Sequence, residues 1–432
     1  MPKNNTARNS IALKLLAIAV LTVLLLIPTA FIAALIQDRA NTQEEAIAEV
    51  SSKWGAEQTI TGPLLTVPYK KFITKDEGGV EEVIEYAHFL PDELNINGEV
   101  FPEVLTRDIY EVVVYNAKLK IDGRFSPLNF DNWDISAGNI IWADAFVSLG
   151  IPDMKGVGEA IALNWNGSNY EFNPGIKSND VVESGVSIKV PVGNADNSFS
   201  LELNLNGSQE LNVIPLGRET NVGLTSNWAS PSFRGVFLPD SREVTDDGFT
   251  ADWKVLHLNR NYAQSWTGNA PSSVSQSVFG VELLIPVDQY QKSMRSIKYA
   301  IMLIALTFLI FFFVEVLNNR RIHPIQYILV GLALCIFYLL LLSISEHLNF
   351  NQAYIISSIA TILLITTYAK SVFKSSRLTS LQGLILVILY GFMYVLIQLE
   401  DYALLIGSIG LFVVLAIVMY ISRKIDWYEI GK

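Results

Sequence analysis

Six long apolar segments constrain this chain more than any other feature of its sequence. The first, Leu15–Ile36, contains no charged residue and is long enough to cross a hydrocarbon core of about 30 Å as a helix. Half of all residues are hydrophobic and only 17% are charged, below the roughly one quarter that is usual in soluble domains. The sequence therefore predicts an α-helical membrane protein with six transmembrane helices, of which the later five are Tyr299–Leu317, Ile325–Ile344, Tyr354–Ala369, Leu381–Gln398 and Ala403–Ile421.

The N-terminal segment is typical of an uncleaved signal anchor. Three cations, Lys3, Arg8 and Lys14, precede it, as in a secretory signal peptide. The apolar run is longer than the roughly 7–15 residues of a signal peptide, and no clear cleavage site follows. Cleavage remains the alternative. We expect Pro28 to kink this helix and Asp38–Trp54 to continue it beyond the membrane.

Basic residues in the short connectors predict the orientation. Alternate connectors are rich in Lys and Arg, whereas Glu346–Gln352 and Leu399–Tyr402 contain neither. Because cytoplasmic loops collect basic residues, both termini are predicted to be cytoplasmic and the middle of the chain extracytoplasmic. Arg295 and Lys298, on the other side, are the exceptions. The predicted cytoplasmic cations are Arg320, Arg321, Lys370, Lys374, Arg377, Arg423, Lys424 and Lys432.

The middle of the chain alternates as β-strands do. Phe199–Asn206 switches between apolar and polar residues without a fault, which gives one buried and one solvated face. Asn-Gly pairs at Asn97, Asn166 and Asn206, together with Gly78-Gly79, predict turns. We therefore predict a large, mainly antiparallel β extracytoplasmic domain, with further strands at Ile60–Tyr69, Tyr110–Ile121, Gly185–Val192 and Phe279–Ile285.

These segments predict four parts. Residues 1–37 are the cytoplasmic N-terminus and signal anchor, and residues 38–298 are the β-rich domain. Residues 299–421 are a five-helix transmembrane bundle, and residues 422–432 are a cytoplasmic tail. Outside residues 38–293, cations outnumber acids 13 to 6. Because the whole chain has a net charge of −11, residues 38–293 have a net charge of −18.

Several classes of function are disfavoured. The negative charge argues against a nucleic-acid partner, because phosphate contacts need clustered cations. Cys335 is the only cysteine, and His88 and His257 lack the spacing of metal ligands. Neither a nucleophile elbow nor a glycine-rich phosphate loop is present. The sequence predicts no enzymatic activity, no cofactor and no metal.

Glu315 is the one carboxylate inside a predicted span. Charges within membranes are costly and are functional candidates by default. It lies near the predicted cytoplasmic boundary, where pairing with Arg320 or Arg321 is the structural alternative to a proton or ligand role. His323 and Gln326, beside Pro324 at the start of the next span, complete a candidate polar cluster with Glu315. Two interpretations of this cluster remain: a structural contact that fixes the hairpin of the second and third spans, and a proton-sensing site.

An aromatic, proline-punctuated stretch, 227–240, is the candidate outer binding loop. Loops on rigid sheets often carry function. Core packing at the end of the sheets is the interpretation that we favour for its aromatic residues. The candidate residues are Trp228, Phe233, Arg234 and Phe237.

Several short motifs carry a resemblance to a known family. They include Ile322-His-Pro-Ile-Gln-Tyr327 and Phe337-Tyr-Leu-Leu-Leu-Leu-Ser343 in the bundle, and Gly217-Arg-Glu-Thr220 and Pro231-Ser-Phe-Arg-Gly235 in the middle domain. With these motifs the chain resembles the CreD family of bacterial inner-membrane, or cell-envelope integrity, proteins over almost its whole length. The resemblance implies an inner-membrane location and a link to the Cre two-component response, and it brings no catalytic residues.

Two functions follow as expectations. The first is a non-enzymatic, multi-pass inner-membrane protein of cell-envelope integrity and stress response, whose periplasmic domain binds an envelope protein, polymer or lipid. The second is a transporter, channel or lipid-handling protein gated by that domain, because five C-terminal helices exceed what an anchor requires. A periplasmic sensor is weaker, since only Ser422–Lys432 is left for a cytoplasmic output.

Overall fold

The computed structural model describes residues 11–74, 80–193, 195–285, 289–318, 322–399 and 402–423. The chain divides into two compact units. One unit, Glu44–Pro286, is the β domain, and the other, Met1–Gln43 with Val287–Lys432, is the helical bundle.

The helices confirm the predicted architecture. Six helices in the described residues are long and apolar enough to cross a membrane, one near the N-terminus and five after the β domain. The helices are α1 (Ile11–Leu24), α2 (Leu26–Trp54), α3 (Ser272–Ser275), α4 (Gln289–Lys298), α5 (Ala300–Leu317), α6 (Pro324–Ser345), α7 (Phe350–Phe373), α8 (Ser376–Gln398) and α9 (Ala403–Ser422).

The N-terminal span consists of α1 and α2, which are separated at Leu25. Pro28 has no N–H to donate to the carbonyl of Leu24, so the helical hydrogen-bond ladder is interrupted there. Beyond the apolar run α2 continues to Trp54, as predicted. The first span and its polar extension are thus nearly continuous helix.

Helices α5–α9 of the bundle are apolar around most of their circumference. α6 packs against α7, and α7 against α8, whereas α9 contributes no buried residue among those described. α4 was not predicted as a separate helix. It belongs to the bundle unit, where Tyr290, Ser293, Ser296 and Ile297 are buried. Arg295, an exception to the charge pattern, donates a hydrogen bond to the carbonyl of Leu399.

The β domain contains two sheets. The first has the order β13-β17-β11-β1-β5-β9-β8, with β2 joined to β1 and β16, and the second has the order β14-β15-β12-β3-β4-β10-β6-β7. The strands are β1 (Gln58–Thr74), β2 (Val80–Phe89), β3 (Glu93–Arg107), β4 (Tyr110–Phe125), β5 (Phe146–Gly150), β6 (Ala162–Trp165), β7 (Ser168–Glu171), β8 (Asn173–Pro174), β9 (Gly185–Lys189), β10 (Asn197–Ser208), β11 (Glu210–Ile214), β12 (Glu219–Ser226), β13 (Pro231–Gly235), β14 (Ser241–Thr245), β15 (Gly248–Leu256), β16 (Ser265–Thr267) and β17 (Phe279–Leu283).

Most strand pairs are antiparallel, as expected. Among the described strands, β1–β11 and β3–β12 are the parallel pairs. A single hydrophobic core contains side chains from both sheets, including Val67 and Val213 of the first sheet and Leu203 and Trp253 of the second. The perfect alternation predicted at Phe199–Asn206 lies within β10, whose apolar side chains enter this core. The predicted strand at Gly185–Val192 ends earlier, at Lys189.

The Asn-Gly pairs divide into one turn and two strand positions. Asn166 and Gly167 both have positive φ and form the turn between β6 and β7. The turns predicted at Asn97 and Asn206 are wrong, because both pairs lie inside strands. At Gly207 a Cβ atom would lie 2.3 Å from the Tyr115 hydroxyl oxygen, so glycine there makes room for a buried ring. The Gly78-Gly79 turn falls outside the described residues.

Candidate functional sites

Glu315 is buried at the C-terminal end of α5. Its side chain is 4% exposed and accepts a hydrogen bond from Lys14 Nζ of α1 at 2.5 Å. The Tyr327 hydroxyl of α6 donates to its second oxygen at 3.1 Å, and the Ile322 N–H donates at 3.3 Å. Three helices therefore meet at one carboxylate whose charge is paired. Arg320 and Arg321, the partners considered from sequence, lie outside the described residues.

Aromatic packing holds Tyr327 in position for this contact. The rings of Phe308 and Tyr327 meet edge to face with centroids 5.4 Å apart, and Phe311 lies 6.1 Å away. Lys14 and Tyr327 are the two partners that sequence reasoning missed. A signal for Lys14 was present, because it lies at the same predicted membrane boundary as Glu315. The choice between Lys14 and the two arginines depends on which helices pack together.

His323 and Gln326 form a helix cap. His323 Nδ1 accepts from the Ile325 N–H at 3.2 Å, and the His323 N–H donates to Gln326 Oε1 at 3.0 Å. Together with Pro324 at the first position, this reciprocal pair satisfies amide groups that the start of α6 would otherwise leave unpaired. The structure joins His323 to Gln326, and it joins Glu315 to Lys14 and Tyr327. Ile322 connects the two groups, because its N–H donates to Glu315 and it directly precedes His323 in the chain.

The aromatic residues of the candidate outer loop pack against the domain core. The Phe233 ring meets Phe249 and Trp253 edge to face, each with centroids 5.7 Å apart. Phe237 packs against Phe279 at 5.8 Å, and Trp228 Nε1 donates to the Leu284 carbonyl at 3.0 Å. On either side of Phe237, Val236 and Leu238 are 62% and 65% exposed. The prediction of a loop is wrong for part of this stretch, because Phe233 and Arg234 lie in β13, which pairs with β17. The stretch combines aromatic side chains that pack on the core with aliphatic side chains that face solvent.

Arg234, the fourth candidate of the loop, belongs to a small charge cluster. Its Nε lies 2.5 Å from Glu282, and a second nitrogen lies 3.5 Å from Glu210. Burial raises the pKa of the Glu282 carboxyl, with the neighbouring Glu210 and Glu57 acting in the same direction and Arg234 against it. Burial and Glu210 also raise the pKa of Glu57. Arg234 therefore neutralises part of a carboxylate cluster between β11, β13 and β17.

A groove of about 440 Å³ lies at one end of the second sheet. A cross-strand row crosses it, in which Glu99 of β3, Thr225 of β12, Thr250 of β15 and Glu243 of β14 are direct neighbours. Strands are about 4.8 Å apart, so the two carboxylates at the ends of the row are separated by roughly 14 Å. The lining includes Asp247 and Phe101 but no Lys or Arg among the described residues. Lys118 of β4 is the direct neighbour of Glu99 on its other side, and its Nζ lies 5.4 Å from the centre of the Phe101 ring. Sequence reasoning missed this row because strand pairing over long distances is needed to assemble it.

His88 forms a buried polar contact in the first sheet. Its Nδ1 lies 3.0 Å from the Thr66 hydroxyl, and its Nε2 lies 3.1 Å from Asp180. The side chain is 1% exposed, and burial lowers the pKa of the imidazole, whereas Asp180 acts in the opposite direction. Within the described residues no group of three or more potential metal ligands is found. Its contacts with Thr66 and Asp180 give His88 a structural role in the first sheet.

The architecture defines the class of protein, a membrane bundle of six spans with a large β domain inserted after the first span. Sequence comparison agrees with this architecture. The family model described as inner membrane protein CreD matches residues 10–428. The chain is also 35% identical to the inner membrane protein CreD of Escherichia coli strain K12 over 414 residues, which cover 94% of this chain and 91% of that protein. The chain therefore belongs to the CreD inner-membrane protein family.

Proposed function

We propose that this protein is a non-enzymatic component of cell-envelope integrity and stress response, and that its β domain is a binding module in the periplasm. Family membership supports the inner-membrane location. The basic residues of alternate connectors support cytoplasmic termini. The single observation that carries the binding proposal is the acidic groove crossed by the row Glu99–Thr225–Thr250–Glu243.

The chemistry of the groove selects the partner. Lys118 lies beside Glu99, but Glu243 and Asp247 have no cation among the described lining residues. A positively charged ligand therefore gains attraction at Glu243 and Asp247, and an anionic lipid headgroup is repelled there. Threonine hydroxyls between the carboxylates donate and accept hydrogen bonds. The occupant that fits is a basic, extended segment of another envelope protein.

An exposed sheet edge beside the groove supports the same partner. β14 is the last strand of the second sheet, and all five of its residues are exposed. An edge strand presents unpaired backbone groups to which an extended peptide adds as another strand. Backbone pairing with β14 would place the side chains of such a peptide beside Glu243 and Thr245.

Photocrosslinking in living cells tests this proposal. A photoreactive residue at Thr250 is expected to give a discrete protein adduct, and the same residue at Glu171 is expected to give none. Glu171 is a matched control because it is exposed on β7, the opposite edge of the same sheet.

Reversing the charges of the groove adds a second test to the crosslinking experiment. Combining Glu99→Lys with Glu243→Lys is expected to remove the adduct at Thr250, whereas Glu171→Lys leaves it unchanged. Adducts that are equally strong at Glu171, or that survive the double reversal, would show that the groove is not the binding surface.

A second candidate function is a transporter, channel or lipid-handling protein gated by the β domain. It is favoured by Glu315, a charged side chain buried among three helices of a bundle that is larger than an anchor needs. In that case Glu315→Gln abolishes function although the protein is inserted in normal amounts. Retained function in this variant would assign Glu315 a structural role.

A further inference from the structure

A cavity of about 300 Å³ lies on the first sheet of the β domain, on the face turned away from the shared core. β1 contributes Thr59 and Thr61 to its lining. Ile60, between them, belongs to the core, so the alternation of the strand turns both threonines to the opposite face. The segment 175–184, between β8 and β9, contributes Glu183 and Ser184. We call this cavity the threonine pocket.

An irregularity in the strand pairing lies directly beside Thr61. Thr61 is paired with Gly150 of β5, but the next pair is Leu64 with Ser148, so β1 has one residue more than β5 in this interval. Such a bulge bends the strand and redirects a side chain, and bulges are common next to functional sites. At Gly150 a Cβ atom would lie 2.6 Å from a methyl group of Val182, so glycine lets the covering segment approach the sheet. The pocket is thus shaped by a bulge and a glycine at one position of the sheet.

The covering segment is held by bonds on either side of the pocket. Nε2 of the buried His88 lies 3.1 Å from the Asp180 carboxylate, and the Ala270 N–H donates to the Asp180 carbonyl at 2.8 Å. The Ile151 N–H donates to the Ser184 carbonyl at 3.1 Å. Because these bonds fix the segment in the absence of a ligand, the pocket is already formed, as small-molecule sites usually are.

The hydroxyl groups that line the pocket have no partner within the described part of the chain. Thr61 is 7% exposed, and its hydroxyl makes no hydrogen bond to a described residue. The hydroxyl groups of Thr59 and Ser184, which are partly exposed, make none either. All three residues border open space, so a ligand in the pocket can reach hydroxyl groups that the protein leaves unsatisfied.

Negative charge at the pocket selects the sign of the ligand. Glu183 is exposed and forms no ion pair with a described residue. Glu57, two residues before Thr59 and therefore roughly 7 Å away along an extended chain, adds the carboxylate cluster that Arg234 neutralises only in part. An anion is therefore repelled from this surface, whereas a cation is attracted to it.

The cations of the neighbouring segments have other contacts. Lys155 Nζ donates to the Ser52 carbonyl at 3.1 Å, and Lys177 Nζ lies 5.1 Å from the centre of the Phe146 ring. Neither lysine is among the described residues that line the pocket. The charge of Glu183 is thus available to a ligand.

We propose that the threonine pocket binds an aliphatic primary ammonium group, with Glu183 as its counter-charge. An ammonium group has three N–H donors, and the pocket offers three hydroxyl oxygens and one carboxylate as acceptors. Val182 and Pro152 supply apolar wall for a methylene chain. A free diamine and a lysine side chain share this chemistry. The inference is independent of the acidic groove, which lies on the second sheet.

Binding to the purified full-length protein in phosphatidylcholine nanodiscs tests the proposal. Saturation-transfer NMR titrations compare 1,5-diaminopentane with 1,5-pentanediol, which has the same chain and no charge. The test variants are Glu183→Gln, which removes the counter-charge, and Thr61→Val, which removes the buried hydroxyl and keeps size and charge. Glu171→Gln, at an exposed carboxylate of the second sheet, controls for the general attraction of cations to an acidic domain.

The expected result is saturable binding of the diamine that is about tenfold weaker in Glu183→Gln and in Thr61→Val and unchanged in Glu171→Gln. The diol is expected to bind about tenfold more weakly than the diamine to the wild type. Equal affinity of the wild type and Thr61→Val for the diamine would overturn the proposal. Equal affinity for diamine and diol, or no binding of the diamine, would overturn it as well.

A peptide probe distinguishes the two sources of the ammonium group. Binding of a pentapeptide with one central lysine between glycines, as tight as that of the diamine, assigns the pocket to a polypeptide side chain, and much weaker binding assigns it to a free diamine. Thermal unfolding without ligand separates lost binding from lost folding. The midpoint of Thr61→Val is expected to equal or exceed that of the wild type, because the hydroxyl that it removes has no partner among the described residues.

Discussion

Glu315 is the residue at which the first span is joined to the helices that follow the β domain. Its bonds to Lys14, Tyr327 and the Ile322 N–H satisfy a carboxylate in a place where charges are costly. A buried ion pair does not necessarily stabilise a fold, but removing one partner leaves the other charge uncompensated. The pair therefore fixes which helices meet more than it raises total stability.

Neutralising Glu315 is expected to destabilise the bundle through Lys14. Lys14 is one-third exposed, so we expect Glu315→Gln to lower the free energy of unfolding by about 1–2 kcal/mol, less than for a fully buried pair. Chemical unfolding of the purified protein in mixed micelles measures this change. Lys14→Gln serves as the second edge of a double-mutant cycle, and the effects of the two variants should be clearly non-additive. Simple additivity would contradict the pairing.

His88 makes the stability of the β domain depend on pH. Burial lowers its pKa in the folded state, whereas an unfolded histidine titrates near pH 6.5. Below about pH 6.5 the unfolded chain therefore takes up a proton that the folded domain does not, and stability falls with acidification until the folded pKa is passed. Above pH 6.5 this contribution is constant.

Comparing unfolding at pH 7.5 and 5.5 measures the effect of His88. The wild-type protein is expected to lose more stability over this interval than His88→Gln. His257→Gln, at a partly exposed histidine, is the control and should keep the wild-type loss. An identical pH dependence in His88→Gln would show that Asp180 compensates fully for the burial.

At the scale of secondary-structure elements, similar sequence signals have different outcomes. The proline at the start of α6 and the capping pair beside it are local, so the helix start is readable from sequence. The Asn-Gly pairs at Asn97 and Asn206 carry a turn signal, yet both lie inside long strands. Gly98 lies so close to Leu119 and Leu224 that a Cβ atom would fall within 3 Å of each. Contacts with distant strands override the local preference of these pairs.

Substitutions of His323 in the cap of α6 distinguish a structural role of this residue from a proton-sensing role. Asparagine is a good N-cap residue but does not titrate, so His323→Asn is expected to keep stability and function, whereas His323→Ala costs about 1 kcal/mol. Thermal unfolding and an envelope-stress growth assay measure the two properties. Loss of function in His323→Asn at wild-type stability would assign His323 a role as a proton sensor.

At the scale of the whole molecule, charge distribution and hydropathy divide the chain into apolar segments suited to lipid and an acidic middle suited to water. The apolar segments become spans, while the strongly acidic middle becomes two sheets around one core. The positive-inside pattern adds an orientation that is testable with single cysteines. Cys335 is buried and is the only native cysteine, so a Cys335→Ala background is suitable.

Labelling with a membrane-impermeant maleimide tests the orientation in cells whose outer membrane has been made permeable and whose inner membrane is intact. We expect Leu348→Cys, between α6 and α7, and Thr250→Cys, in the β domain, to be labelled. Ser376→Cys, at the start of α8, should react only after the inner membrane is opened. Labelling of Ser376→Cys in intact cells would contradict the proposed topology.

The sequence by itself determined the six spans, the position of the β domain, several strands and the start of α6 near Pro324. These features depend on hydropathy, alternation and capping, which are properties of neighbouring residues. The partner of Glu315 and the acidic row across four strands were decided only by tertiary structure. Each joins side chains from separate elements, such as Lys14 and Glu315 or Glu99 and Glu243, and no local pattern specifies which of many compatible partners will meet.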